Sequence, residues 1–292
     1  GNYEITDNIE FYSRGLFSRN QVNTLIAPSG SFGDSVEVAL NHPFMSDAQR
    51  NAFCAYDMDN AVGTYTPRFT QAECDAAGAA IDPTDPNYRS VNTVLRRRDV
   101  EGGPRISEFV SDYFDLQMGL RGSLTETINW DVVGSYGQGK QVQTQKGYWL
   151  KSRFRSSLLS GPNGCFTTTG GCVPVDFFGP TPSITEAQNA YLLGGESAVT
   201  TKFSMSQIKA SLSGELGYSL PWASEAVNWA VGGEYRKYTG SNESDLLSQS
   251  GDLGGAGGAN PNIFGGYSVY EGVAEVVVPI VTDADWAKQL NF

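Results

Sequence analysis

The sequence predicts an all-β chain: an antiparallel transmembrane β-barrel segment of about six to seven long strands. Three observations predict it. Apolar and polar residues alternate with period 2 over long runs, as in a strand with one greasy and one polar face. The polar parity carries charges of both signs, which suits a watery or polar-packed interior with the apolar parity turned toward lipid. Short turns and long, Gly- and Pro-rich connections take turns along the chain, so one end of the sheet is trim and the other ornate. Composition agrees. The 292 residues are 40% hydrophobic, too rich for disorder, but only 18% charged. A net charge of −12 argues against nucleic acid as a partner. No apolar run approaches the roughly 18 residues of a membrane-spanning helix, which does not bear on strands.

The first strand sets Ile9, Phe11 and Phe17 against Glu10, Tyr12 and Arg14. A long connection over 27–105 follows, with a short helix expected from Ser46 to Tyr56. The clearest strand runs from Tyr113 to Leu124, where Phe114, Leu116, Met118 and Leu120 oppose Asp115, Gln117, Gly119 and Arg121. After a break at Thr125-Glu126-Thr127, Ile128, Trp130, Val132 and Tyr136 oppose Asn129, Asp131, Ser135 and Gly137, which makes a hairpin. The connection 146–199 contains an expected helix from Ser183 to Leu193, opened by a Ser183-x-x-Glu186 capping box. Phe203 to Tyr218 then places Ile208, Ala210, Leu212, Leu216 and Tyr218 opposite Gln207, Lys209, Ser211 and Glu215. The turn Leu220-Pro221-Trp222-Ala223-Ser224 leads into Val227, Trp229, Val231 and Tyr235 against Asn228, Glu234 and Arg236. A third long connection, 241–266, precedes Tyr267 to Ile280, with Glu271 and Glu275 on the polar parity. A turn near 281–288 opens a seventh strand. Aromatics near strand ends, Trp130, Tyr218, Trp222, Trp229 and Trp286, fit an interfacial girdle.

Four cysteines allow three pairings. Cys54 with Cys74 and Cys165 with Cys172 suits the local organisation best, and disulfides there point to an oxidising compartment. The single histidine, His42, has no second His with which to bind zinc. Gly134 to Gln141 approximates a phosphate loop, but Gln141 stands where Ser or Thr is required and no helix is expected after it. Asp57-Met58-Asp59-Asn60 resembles the start of a calcium loop without its later Gly and Glu. Arg96-Arg97-Arg98 suits ion pairing in an extended hairpin or contact with lipopolysaccharide phosphates. Gly251 to Gly266 suggests a mobile loop. No cofactor is implied. Catalysis has no recognisable motif, and Glu234, Glu271 and Glu275 are better explained as a polar wall than as a glycosidase pair.

Several segments together resemble the TonB-dependent receptors of Gram-negative outer membranes. They are Leu95 to Arg105 (an Arg run followed by Glu101-Gly102-Gly103-Pro104-Arg105), Met118-Gly119-Leu120-Arg121-Gly122, Ile128-Asn129-Trp130-Asp131-Val132 and Ser135-Tyr136-Gly137. Phe17-Ser18-Arg19-Asn20, Asn41-His42-Pro43-Phe44, Cys172 to Gly179 and Tyr270 to Pro279 add to them. The resemblance runs through most of the chain. It implies a 22-stranded outer-membrane barrel with periplasmic turns and extracellular loops, plugged by an N-terminal domain and importing a scarce ligand such as a siderophore or carbohydrate. The chain then corresponds to an internal barrel segment without the plug, and no enzyme. Its expected partners are outer-membrane lipid and lipopolysaccharide, the TonB complex through the missing plug, and a small-molecule ligand. Asp115, Arg121, Asp131, Lys209, Glu215, Glu234, Arg236, Glu271 and Glu275 are expected to face lumen and plug. Tyr56, Tyr65, Phe166, Phe177 and Phe178 are expected either to stack on the ligand or to pack the loops together. The alternative is a secreted β-rich binding or adhesion module.

Overall fold

A computed structural model describes the chain except residues 60, 61, 222, 224, 285 and 286. The girdle aromatics Trp222 and Trp286, and Asn60 of the calcium-like run, therefore lie outside the described residues. In chain order the elements begin with strands β1 (Asn2–Thr6), β2 (Ile9–Ile26) and β3 (Gly30–Ala39), helices α1 (Asp47–Cys54) and α2 (Gln71–Ala79), and strand β4 (Ser90–Arg98). Strands β5 (Arg105–Ser123) and β6 (Ile128–Lys146) precede helix α3 (Lys151–Leu158), the short strands β7 (Ser160–Gly161) and β8 (Gly164–Cys165), and helix α4 (Glu186–Leu192). Strands β9 (Ser197–Ser219) and β10 (Ala226–Ser244), helix α5 (Leu246–Ser250), and strands β11 (Ile263–Val277), β12 (Pro279–Ala284) and β13 (Ala287–Asn291) complete it.

The dominant feature is one antiparallel sheet in the order β1-β2-β5-β6-β9-β10-β11. Each strand pairs with the next large strand in the chain, so the sheet is a meander whose inserts leave from one end only. Among the described residues the sheet does not close: β1 and β11 are both edges. The hairpin β12–β13 forms a separate two-stranded sheet at the trim end.

The strands outrun their predicted bounds toward the loop end; β5, for example, starts at Arg105 rather than near Tyr113. Beyond Phe114 polar residues such as Asp112 and Glu108 enter the apolar parity as well, so the period-2 contrast fades although the ladder continues. The register settles the faces. Leu116 pairs with Tyr136 and Leu120 with Val132, Val132 with Ala210, Ile208 with Tyr235, and Tyr235 with Tyr270, all on one side. That apolar side is open: Met118 is 47% exposed, Ile208 54% and Tyr270 79%. On β5, β6 and β10 the polar side is the more sheltered, with Asp115, Asp131, Glu234 and Arg236 half-buried and Gly119 and Gly137 buried. Side chains crowd on the concave side of a coiled sheet, so this exposure pattern makes the polar face concave.

The long connections are not featureless. They fold together over one end of the sheet around a core that includes Val38, Leu40, Cys74, Trp149, Phe154, Leu158, Val175, Phe177 and Leu192. Here β3 pairs with β4 inside the long connection 27–105, where no strand pairing was assigned from the sequence beyond an extended hairpin at the arginine run. The expected helix after Ser46 is α1, with a Ser46/Gln49 capping box. Its counterpart α4 is capped two residues later than predicted, by Thr185 with Gln188. Ser183 instead donates to the Asp176 carbonyl at 2.8 Å and accepts from Arg97. Helix α2 carries a third such box, Thr70 with Glu73. The disulfides are Cys54–Cys74, joining the end of α1 to α2, and Cys165–Cys172. Gly251 to Gly266, read as a mobile loop, is pinned instead. Gly254 donates to the Trp149 carbonyl at 2.7 Å, its own carbonyl accepts from Ser29, and residues 263–266 belong to β11.

Candidate functional site: the concave polar face and the loop module above it

All nine predicted charges fall on the concave face, as the register shows: Arg121 opposes Asp131, Lys209 opposes Glu234, Glu234 opposes Glu271, Asn228 opposes Glu215, and Ala230 opposes Glu275. Toward the trim end they form two networks. In the first, Arg121 grips Glu10 with two hydrogen bonds, of 2.8 and 3.1 Å, and lies 5.3 Å over the Tyr12 ring. Tyr12 reaches across β5 to donate to Asp131 on β6, 2.9 Å from each carboxylate oxygen. It can do so because Gly119 lies beneath it; a Cβ there would stand 2.3 Å from the ring. In the second, Arg236 bridges Glu234 and Glu271, Gln207 donates to Glu234 at 2.7 Å, and Ser135 donates to Gln207 at 3.0 Å. Arg236 thus holds Glu234 and Glu271, two of the three carboxylates weighed for a glycosidase pair. Asp115, Lys209, Glu215 and Glu275 make no side-chain hydrogen bond or ion pair among the described residues, and so remain available to groups outside this chain.

Nearer the loops the same face changes character. Phe203, Tyr238 and Tyr267 flank a recess of about 560 Å³ floored by Gly240 and Gly265, which are register partners, with Asn242 at its rim. Tyr238 and Tyr267 stack with centroids 4.9 Å apart. A Cβ on Gly265 would meet nothing within 4 Å, so the missing side chain leaves open volume. No charged residue lines the recess. Flat rings beside amides and hydroxyls suit an uncharged, ring-containing ligand. Sequence reasoning missed this site. Its signal was aromatics and paired glycines on a parity that elsewhere carries charge.

Above the sheet, Asp99 is the hub of the loop module. It is 1% exposed and accepts from Trp149 Nε1 at 2.6 Å and from the Gly102 amide at 2.9 Å. The Asn189 amide, oriented to donate, lies 2.8 Å from Asp99 Oδ2. Burial pushes the Asp99 carboxyl above its ordinary range, against the opposing pull of the Gly102 and Trp149 donors. The rest of the Glu101-Gly102-Gly103-Pro104-Arg105 run also ties loops together. Glu101 pairs with Arg97 at 2.7 Å and accepts from the Ser183 amide at 3.1 Å. Arg105 donates to the Ala27 and Gly255 carbonyls and lies over the Phe32 and Tyr148 rings. Of the arginine run, Arg97 is thus engaged internally and Arg98 donates to the Pro28 carbonyl.

The predicted loop aromatics divide. Phe177 is 4% exposed and packs on Trp149 and Phe154, so it holds the loops together rather than meeting a ligand. Phe178 is partly buried against the same core and touches His42, and Phe166 packs edge-on against Tyr88. Tyr56 and Tyr65 are 59% and 62% exposed and stay open to a partner. The phosphate-loop-like run lies inside β6. Asp57 accepts from the Asp59 and Thr66 amides, and no cluster of three metal-ligating residues occurs among the described residues.

Comparison with known protein families, with curated proteins and with solved structures finds no match to the chain.

Proposed function

We propose that the chain is a barrel-wall segment of a TonB-dependent outer-membrane receptor, which binds and imports a small ligand without altering it chemically. The carrying observation is the course of the apolar band. On β2 and β5 the convex apolar run ends at Phe17 and Phe114, which are register partners. Phe114 faces Gln138 on β6, where the run has already ended at Tyr136; Tyr136 faces Ser206 on β9, where it ends at Ile208. Ile208, Tyr235 and Tyr270 then share one row. The border therefore slips four residues between β2 and β11. That is roughly 13 Å along the strands over roughly 24 Å of sheet, an angle of about 30°, close to the roughly 35–45° tilt of outer-membrane strands. A band of constant height on tilted strands must cross the hydrogen-bond rows obliquely, whereas a face packed on a second sheet has no such requirement.

Band height agrees. From Phe114 on β5 to Leu124, just past the end of the strand, is roughly 33 Å along the chain, which a tilt of about 30° reduces to roughly 29 Å, near the roughly 25 Å of an outer-membrane apolar belt. Trp130, Tyr218 and Trp229 edge the band on the turn side. The concave charges then face the lumen, where those without partners meet a plug, and the neutral aromatic recess lies on the path from the loops.

Fractionation of source cells, with gels run before and after boiling, tests this. A heat-modifiable outer-membrane band much larger than the chain is the expected result. A soluble product of the chain's own size with no heat shift would leave the secreted β-module in its place.

A further inference from the structure

The concave face is sorted by charge and by ring, in a way that closing a sheet does not require. Toward its loop end one row of register partners crosses six strands: Ser18, Tyr113, Gly139, Phe203, Gly240 and Gly265. Each aromatic in this row is followed by a glycine on the next strand. A Cβ on Gly240 would stand 3.3 Å from the Phe203 ring, and one on Gly139 3.9 Å from the Tyr113 ring, so each ring leans over the backbone beside it. Both rings are exposed. Tyr113 and Phe203 are two strands apart, roughly 10 Å. Tyr267, one row nearer the trim end and stacked on Tyr238, stands two strands beyond Phe203. Three aromatic platforms thus cross the strands at an even interval.

The next row on the loop side runs Asn20, Ser111, Gln141, Thr201 and Asn242, every one an amide or a hydroxyl. Gln141 donates to Ser111 at 3.1 Å and Thr201 to Asn242 at 3.0 Å, which orients the row from within. No charged residue stands on either row. The row on the trim side has one, Asp115, whose carboxylate accepts from hydroxyls and repels anions. The cations Arg14 and Arg236 stand one row further, and Arg236 is already held by Glu234 and Glu271. Platforms spaced by two strands call for a ligand of several linked rings, because a single ring meets only one of them. Aromatic faces are negative and attract the C–H edges of saturated rings, while the parallel row of amides and hydroxyls serves hydroxyl groups along the same line. An anionic chelate finds no cation here to offset its charge. We infer that these two rows bind an uncharged oligosaccharide lying across the strands, with Tyr113, Phe203 and the stacked Tyr238 and Tyr267 each beneath one part of it.

This rests on the receptor reading for the ligand's access from the loops, and the test separates the two. The intact protein, purified in neutral detergent, is checked for heat modifiability. It is then titrated with neutral α- and β-linked hexose oligomers from single sugars to hexasaccharides, with uronate oligomers of the same lengths, and with a ferric siderophore. Affinity is expected to rise steeply with length in at least one neutral series and to fall when the rings carry carboxylates. Tyr113→Ala and Phe203→Ala are each expected to weaken the longest oligomers about tenfold and to flatten the dependence on length, with Phe203→Trp retaining both and heat modifiability unchanged throughout. A heat-modifiable protein that binds no neutral oligomer, prefers the uronates or the chelate, or keeps its affinity in both Ala variants overturns the inference and leaves the receptor reading intact. A protein without heat modifiability that binds the neutral oligomers through Tyr113 and Phe203 keeps the site and removes the receptor.

Discussion

At residue 119 any side chain larger than hydrogen would occupy the place where the Tyr12 ring crosses β5. Gly119→Ala is therefore expected to displace Tyr12 and break its bond to Asp131, lowering stability by about 1–3 kcal/mol. The check is the temperature at which the heat-modifiable band is lost; Tyr12→Phe should reproduce much of the loss, and a neutral Gly119→Ala would deny the strut its role. His42 makes a second residue-scale prediction. It is 1% exposed, and its Nε2 lies 3.1 Å from the Ser157 carbonyl while Nδ1 accepts from the Phe44 amide, so the neutral ring is held with its proton on Nε2. Burial pushes its pKa down to about 4. The unfolded ring takes up a proton near pH 6.5 and the folded one only near 4, so protonation favours unfolding. The loop module should lose about 3 kcal/mol as pH falls from 6.5 to 4 and little more below that. Proteolysis of the loops against pH, with and without His42→Gln, reads this: between pH 6.5 and 4 the wild type should lose stability relative to the variant, the difference separating His42 from carboxylates such as Asp99 that titrate in both proteins.

Among elements, the two disulfides should differ in weight. Cys54–Cys74 closes a span of 20 residues and Cys165–Cys172 a span of 7. Chain-entropy reasoning gives roughly 3 kcal/mol for the first and roughly 2.5 for the second. Cys54→Ser with Cys74→Ser is thus expected to raise the protease sensitivity of the loops more than Cys165→Ser with Cys172→Ser, while the sheet keeps its heat-shift behaviour. What was legible in the sequence at this scale was whatever contrast the two faces supplied. Tyr113 to Leu124 declared itself because apolar and polar residues alternate there, but the same strand from Arg105 to Asp112 did not, since both its faces mix polar and apolar residues. β3 escaped notice because a register shift between Phe32 and Ser35 interrupts its alternation, although Val36 and Val38 bracket Glu37 beyond it. The nine charges were legible because they share a parity. The Tyr12 strut and the Phe203, Tyr238 and Tyr267 recess were not, because each depends on a glycine from a neighbouring strand, and only register supplies that information. The hub at Asp99 was visible only as part of a familiar run, with nothing to say that Trp149 would lie against it.

For the whole molecule, the oblique band makes a prediction that depends on depth rather than on burial. Met118 lies in the middle of the band and Val110 beyond its border, and both belong to the convex face. Met118→Arg is expected to cost about 2–4 kcal/mol and Val110→Arg about 0–1 kcal/mol when the protein unfolds from a bilayer in denaturant. A solvent-facing sheet would make both changes nearly neutral, so equal small effects would count against insertion. The two edges of the sheet carry a separate consequence. Among the described residues β11 has one side of its 15-residue hydrogen-bonding ladder vacant, and between Ile263 and Val277 it has no proline and only Glu271 and Glu275 to discourage association. A copy of this chain kept in water, with nothing alongside that strand, is a template for its own kind. Fibrils or swapped dimers seeded at β11 should compete with refolding, and Val273→Lys or Val269→Pro should suppress them; the proposed barrel would then require this edge to be shielded until a further strand pairs with it.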